Sequence, residues 1–168
     1  MTHNRFVHQR HKPPSELERP RDLILACPSL KSNVNFSRIV RLAGCCGVRE
    51  VITSGTGKAD PTIARDGLEV VEIVVRRSLD PSLKKLKEQG KTLVGLERTT
   101  HSRSLYDFQV EQNTVLVIGH ERNGIPESTL ALLDHVVEIP VFGKPFSYNV
   151  ATATSMLLYE YCRQFPRG

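Results

Sequence analysis

At 168 residues with a formal net charge of +5, the chain is the size of one domain and long enough to bury a core. No apolar run approaches the roughly 20 residues that a membrane helix needs, and the basic, His-rich start from Met1 to Lys12 lacks the apolar stretch of a secretory signal. The positive balance suits a polyanionic partner, since Lys and Arg at phosphates release condensed counterions, but charge alone does not separate such a binder from a mildly basic soluble protein.

Residues 1 to 21 form a basic tail, with five Lys or Arg and three His against two Glu, and Pro13, Pro14 and Pro20 mark its boundary with a domain spanning 22 to 168. Asp22 to Cys27 is an apolar run stopped by Pro28. Asn35 to Cys46 predicts a helix, with Ile39, Leu42 and Ala43 on one face and Gly47 as its stop. Gly44 inside it costs about 1 kcal/mol relative to Ala. Glu50 to Thr53 predicts a strand, Ser54 to Lys58 a loop, and the β-branched run Glu69 to Val75 a further strand. Asp80 is placed to cap a helix running through Gln89, with Pro81 in its first turn and Gly90 past its end. Lys91 to Leu96 is the next strand. Thr114 to Ile118 is continuously apolar after its first residue, as a strand buried on both faces should be. A short helix from Glu127 to Asp134, a strand from His135 to Ile139 and a last helix from Asn149 to Gln164 complete the chain. The last helix lays Val150, Leu157 and Tyr161 along an apolar stripe. This alternation predicts an α/β fold, a mainly parallel sheet with helices on both faces.

Cys27, Cys45, Cys46 and Cys162 show no C-x-x-C spacing, so neither a zinc site nor a disulfide framework is expected. They read as reduced, mostly buried thiols of a cytoplasmic protein. Ser54-Gly55-Thr56-Gly57-Lys58-Ala59 hints at a P-loop but has the wrong Gly spacing and lacks Ser or Thr after Lys58, and there is no G-x-G-x-x-G. Lys84, Lys85 and Lys87 read as a solvated helix face.

Three segments stand out, one on a predicted helix and two in loops. Asn35, Arg41 and Gly47 form the first. Gly119-His120-Glu121-Arg122-Asn123-Gly124-Ile125-Pro126, directly after an apolar strand and running on to Ile139-Pro140, is the second. Ser147-Tyr148-Asn149-Val150 at the mouth of the last helix is the third. Gly119 and Gly124 let the backbone turn tightly beside a ligand, and ligands of open α/β sheets bind at the carboxyl ends of strands. In order and spacing the three resemble the motifs of the SpoU (TrmH-like) branch of the SPOUT RNA methyltransferases, over roughly residues 23 to 164. Arg38 departs from the family's small residue there, His120 from its Asn, and Tyr148 from its Leu.

The resemblance implies a C-terminal trefoil knot, an exception to the rule that chains avoid knots. It also implies a homodimer binding RNA across its subunits, and S-adenosylmethionine-dependent methylation of a ribose 2′-hydroxyl. Transfer RNA is the first substrate expected, ribosomal RNA the second; a knotted RNA-binding protein without turnover and a nucleotide-binding α/β protein unrelated to RNA are the other readings. Since the cofactor supplies the electrophilic methyl, the protein must align the hydroxyl and help remove its proton. Arg41 is the family's catalytic residue. A guanidinium is a poor base, so the expectation is that Arg41 grips the phosphate beside the target ribose while a phosphate oxygen or water takes the proton. Asn35 would hydrogen-bond the ribose, hold Arg41 or cap its helix, Glu121 would orient Arg41 or accept from the hydroxyl, and Ser147 and Asn149 would touch the methionine part. Leu96 and Glu97, Ile118 with Gly119, His120, Glu121 and Gly124, Ile139 with Pro140, and Ser147, Tyr148 and Asn149 are the expected cofactor contacts.

Overall fold

The computed structural model describes residues 6–9 and 12–168. Its strands are β1 (Ile24–Cys27), β2 (Glu50–Thr53), β3 (Glu72–Val75), β4 (Thr92–Leu96), β5 (Arg103–Ser104), β6 (Thr114–Ile118) and β7 (His135–Glu138). The helices are α1 (Asn33–Cys45), α2 (Pro61–Ala64), α3 (Gly67–Val70), α4 (Asp80–Glu88), α5 (Glu127–Leu130) and α6 (Val150–Gln164). The strands form one seven-stranded sheet in the order β3-β2-β1-β6-β4-β7-β5, and every pairing is parallel.

Alternation along β1 and β6 explains their unbroken apolar sequence. Leu25, Cys27, Leu116 and Ile118 face one core, with Phe36, Ile39, Val40, Leu157 and Tyr161 of α1 and α6. Ile24, Ala26, Val115 and Val117 face a second core, with Leu79 and Leu83 at α4. Each fully buried Leu, Ile or Val contributes roughly 1.5–3 kcal/mol, so the central strands hold both layers at once. All seven strands therefore point their carboxyl ends to one edge, where the loops that follow them collect.

Several boundaries differ from those expected. Helix α1 starts at Asn33 because Ser32, not Asn35, is its cap: Ser32 Oγ accepts the Asn35 amide at 3.3 Å. The run from Glu69 splits into the one-turn α3 and the edge strand β3. Asp80 does not cap α4; its carboxylate accepts from Thr129 Oγ1 at 2.6 Å and Ser128 Oγ at 3.3 Å, tying α4 to α5. Helix α5 stops at Leu130 rather than Asp134. Asp134 instead accepts the Leu93 amide at 2.9 Å and pairs with Lys87 at 2.7 Å; Lys84, Lys85 and Lys87 are all exposed, as a solvated helix face should be. The α6 stripe is Ala151, Thr154, Leu157, Leu158 and Tyr161, with Val150 only half-buried. Of the cysteines only Cys27 is buried, and burial pushes its thiol up to about 12; Cys45 is exposed, and Cys46 and Cys162 lie between.

Packing reaches back past residue 22. Leu17 lies over Gly47, which is at φ +71°, and Arg21 is 9% exposed. Arg21 Nε donates to the Cys46 carbonyl at 2.7 Å and Nη1 to the Phe165 carbonyl at 2.6 Å. The Glu18 amide donates to the Arg167 carbonyl at 2.9 Å. Residues 18–21 are thereby stitched to the end of α6.

Candidate active site

A cavity of about 780 Å³ opens at the carboxyl ends of β4, β6 and β7. Leu96, Ile118 and Ile139, the terminal residues of those strands or the next along, give it an apolar wall. Parallel pairing sets Leu96 beside Ile118, so the two side chains arrive at the same height.

Residues 119–124 form its second side. His120 and Gly124 exchange backbone hydrogen bonds at 3.0 and 2.9 Å, making a tight turn with Gly124 at φ +64°. A Cβ on Gly119 would lie 2.8 Å from the Gly124 carbonyl carbon, which is backbone and cannot give way. His120 Nδ1 accepts the Arg122 amide at 3.1 Å, the acceptor role that Asn fills in such turns. Glu97 pins the far end of the turn, its Oε2 accepting the Ile125 amide at 3.0 Å.

Glu121 projects from this turn to the start of α1. Its Oε2 accepts the Lys31 amide at 2.9 Å, and Oε1 accepts the Ser32 amide at 3.0 Å and Asn35 Nδ2 at 3.2 Å. Burial works to raise its pKa, yet the Lys31 and Ser32 amides, with Asn35, outweigh burial and hold it down to about 2. Anionic charge at a helix N-terminus is favourable as well. Asn149, from the third motif, caps α6: its Oδ1 accepts the Ala151 and Thr152 amides at 2.9 and 3.4 Å, and its Nδ2 donates to Asn35 Oδ1 at 3.1 Å. Each amide is oriented by the next group. Because Asn149 must offer oxygen to α6, it offers nitrogen to Asn35, and Asn35 then offers nitrogen to the carboxylate. One connected network thus joins the N-termini of α1 and α6 to the 119–124 turn.

The cavity is lined by Asn35, Leu96, Glu97, Ile118, Gly119, His120, Glu121, Gly124, Ile139, Ser147, Tyr148 and Asn149 of the expected residues. Pro140 is not part of the lining; Val141, one residue on, is. Arg41 is also outside it. Six residues beyond Asn35, at about 100° per residue, Arg41 points roughly 120° away around α1. It is exposed and borders a separate groove of about 250 Å³ with Arg38, Thr152 and Ser155. Within one chain, therefore, Asn35 and Glu121 do not reach Arg41, and the Glu121 oxygens are engaged instead by the Lys31 and Ser32 amides and Asn35 Nδ2. Sequence reasoning missed Lys31, Ser32, Arg98 and Ala153 in the lining. Ala153 was findable, lying one helical turn after Asn149. Arg98 was not: its Nη1 reaches the Phe146 carbonyl at 3.2 Å across 48 residues.

The SpoU rRNA methylase family model matches residues 22–159. The tRNA (guanosine(18)-2′-O)-methyltransferase of Escherichia coli K12 is 28% identical over 146 residues, 85% of this chain and 64% of that protein, so the chain spans a little under two thirds of this curated relative. The solved structure of the Aquifex aeolicus TrmH/SpoU tRNA modifying enzyme superposes with a TM-score of 0.83 at 28% identity, covering 89% of this chain and 78% of that one. The SpoU methyltransferase AviRb of Streptomyces viridochromogenes, solved in complex with the cofactor AdoMet, gives 0.73 at 26% identity, covering 91% of this chain and 62% of the other.

Proposed function

Because this chain belongs to the SpoU rRNA methylase family, we propose that it transfers a methyl group from S-adenosylmethionine to a ribose 2′-hydroxyl of RNA. The observation that carries this reading is convergence: Asn35, the 119–124 turn and residues 147–149, far apart in sequence, line a single cavity. The names of the Escherichia coli and Aquifex aeolicus relatives favour tRNA as substrate. The family description keeps rRNA as the second choice.

The residues present fit the cofactor. The cavity has room for a nucleoside joined to an amino acid, with apolar Leu96, Ile118 and Ile139 suited to an adenine face. Gly119 brings bare backbone to its edge, and Ser147 and Asn149 offer small polar groups near the α6 N-terminus. When bound, S-adenosylmethionine supplies an activated methyl on a sulfonium. Glu121 and Asn35 act here by holding the turn and both helix ends in one geometry. Glu121 is engaged by the Lys31 and Ser32 amides and Asn35 Nδ2 and serves as a clamp; the hydroxyl proton leaves to water or to an RNA phosphate oxygen placed beside it.

Arg41 grips the phosphate beside the target ribose. Its exposure on the side of α1 turned from its own cavity supports a homodimer in which it serves the cavity of a second copy. The same reading includes a trefoil knot formed as residues after β7 thread toward α6, cytoplasmic location, no membrane association, and the division into a basic segment 1–21 and a methyltransferase domain 22–168.

Labelled S-adenosylmethionine incubated with unmodified tRNA and, separately, rRNA tests the proposal, with products digested to nucleosides. A 2′-O-methylnucleoside in one RNA class, absent with Arg41→Ala, supports it. Cofactor binding without transfer to either RNA overturns it in favour of a protein that only binds.

A further inference from the structure

In a parallel sheet, whatever precedes the strands gathers at one edge and whatever follows them at the other. Here Asp22 precedes β1, Glu50 and Glu72 open β2 and β3, Glu111 precedes β6, and Asp134 precedes β7. Lys31, Lys58 and Arg77, all exposed, lie in the segments that follow β1, β2 and β3. The lower edge also carries Arg21, Arg49 and Lys91 and is mixed in charge, whereas the stretch of the upper edge that continues beyond the cavity toward β3 exposes Lys31, Lys58 and Arg77.

Close packing makes the three segments one surface. The Ser29 amide donates to Ser54 Oγ at 3.1 Å, and a Cβ on Gly55 would lie 3.1 Å from Ser29 Cα. Gly57, at φ +66°, sits on β3: a Cβ there would meet Val75 Cγ2 at 2.5 Å and Ile73 Cγ2 at 3.3 Å. The Ser54–Lys58 segment, which fails as a P-loop, thus becomes the bridge between β1 and β3, with Lys58 exposed beside the end of β3. Its nearby carboxylate, Asp60, is engaged locally, accepting the Thr62 amide at 2.8 Å and Thr62 Oγ1 at 2.6 Å as the cap of α2. Among the described residues Lys31, Lys58 and Arg77 form no ion pair. Arg76 differs, folding back onto the Val75 carbonyl at 3.1 Å.

We infer that Lys31, Lys58 and Arg77 form the track along which the RNA backbone flanking the methylated nucleotide lies, leaving the cavity toward β3. This rests on the methyltransferase reading and adds the direction in which the RNA runs. Three strand spacings from β6 to β3 amount to about 14 Å, the length of roughly four phosphates at the rise of a stacked strand. Phosphate contacts of this kind set position and affinity rather than base identity.

The test compares Lys58→Glu/Arg77→Glu with Lys84→Glu/Lys85→Glu, an equal charge change at exposed positions of α4. An unmodified tRNA transcript serves both a methyl-transfer assay and fluorescence anisotropy, at several salt concentrations. The track variant is expected to raise the tRNA KM and Kd at least tenfold, with kcat and cofactor affinity within twofold of wild type. Its salt slope should flatten by about 1.4, close to 0.7 for each phosphate of a single strand that is no longer neutralised. The α4 variant should stay within threefold. Equal effects from both variants, or none from either, overturn the track. Absence of transfer by the wild type would instead refute the enzymatic reading, and anisotropy would still decide the track.

Discussion

Glu121→Gln keeps the length of the side chain that joins the 119–124 turn to α1 and removes its charge. The carboxylate accepts from Lys31, Ser32 and Asn35, so an amide must turn its NH₂ toward at least one donor. Lowering a pKa from 4.5 to about 2 corresponds to roughly 3 kcal/mol at about 1.36 kcal/mol per unit. With the side chain 16% exposed at a cavity mouth, solvent screening brings this to about 2–3 kcal/mol. A lowered folded-state pKa contributes stability that is fully present above the unfolded value and is lost as pH falls through the folded one. Urea unfolding of Glu121→Gln should therefore show a deficit of about 2–3 kcal/mol at pH 7, with Tm lower by about 5–10 °C. That deficit should shrink between pH 4.5 and pH 2, because the wild-type carboxyl protonates there and the variant has nothing to protonate. A deficit under about 0.5 kcal/mol, or one unchanged down to pH 2, would refute the clamp.

Asn149→Asp keeps an acceptor for the Ala151 and Thr152 amides but no longer donates to Asn35, setting two oxygens face to face. It should unfold within about 1 kcal/mol of wild type while cofactor affinity, read by calorimetry, falls at least tenfold; an unchanged affinity would show that the Asn35 link is idle. Gly119→Ala has no room beside the Gly124 backbone and should abolish cofactor binding while secondary structure by circular dichroism persists. Mixing Arg41→Ala with Gly119→Ala dimers, with subunit exchange, should restore about a quarter of wild-type transfer, since half the random pairs carry one intact site; no recovery would place Arg41 in the cavity of its own chain. Under a thiol reagent at pH 8, peptide mass spectrometry should find Cys45 modified and Cys27 untouched until the protein unfolds; equal rates would contradict the burial of Cys27.

Where one rule decided the outcome, the sequence was readable. Thr114–Ile118 is apolar along both faces because both are covered, and Asn149 fits an N-cap at the mouth of the last helix, whose apolar stripe runs to Tyr161. Arg41 is instructive in another way. The motif names the residue, and helical phase alone would have separated it from Asn35, yet neither tells which copy it serves. Glu121 was legible as an acid in a tight turn but not as a clamp, since its three donors come from residues 86 to 90 positions earlier. Asp80 satisfied the pattern for a cap and was captured instead by hydroxyls on α5. The two-residue β5 and the one-turn α2 and α3 are too short to carry a period.

The Arg21 contacts have a consequence for synthesis. Every strand of the sheet has been made once residue 138 is added, but the Phe165 carbonyl that receives Arg21 comes 144 residues after it. At roughly 5–20 residues per second this interval is about 7–29 s. Through that time the guanidinium has only water where its last acceptor will be. A segment made before any strand of the sheet is thus among the last to find its place, and Arg21 locks only when α6 arrives.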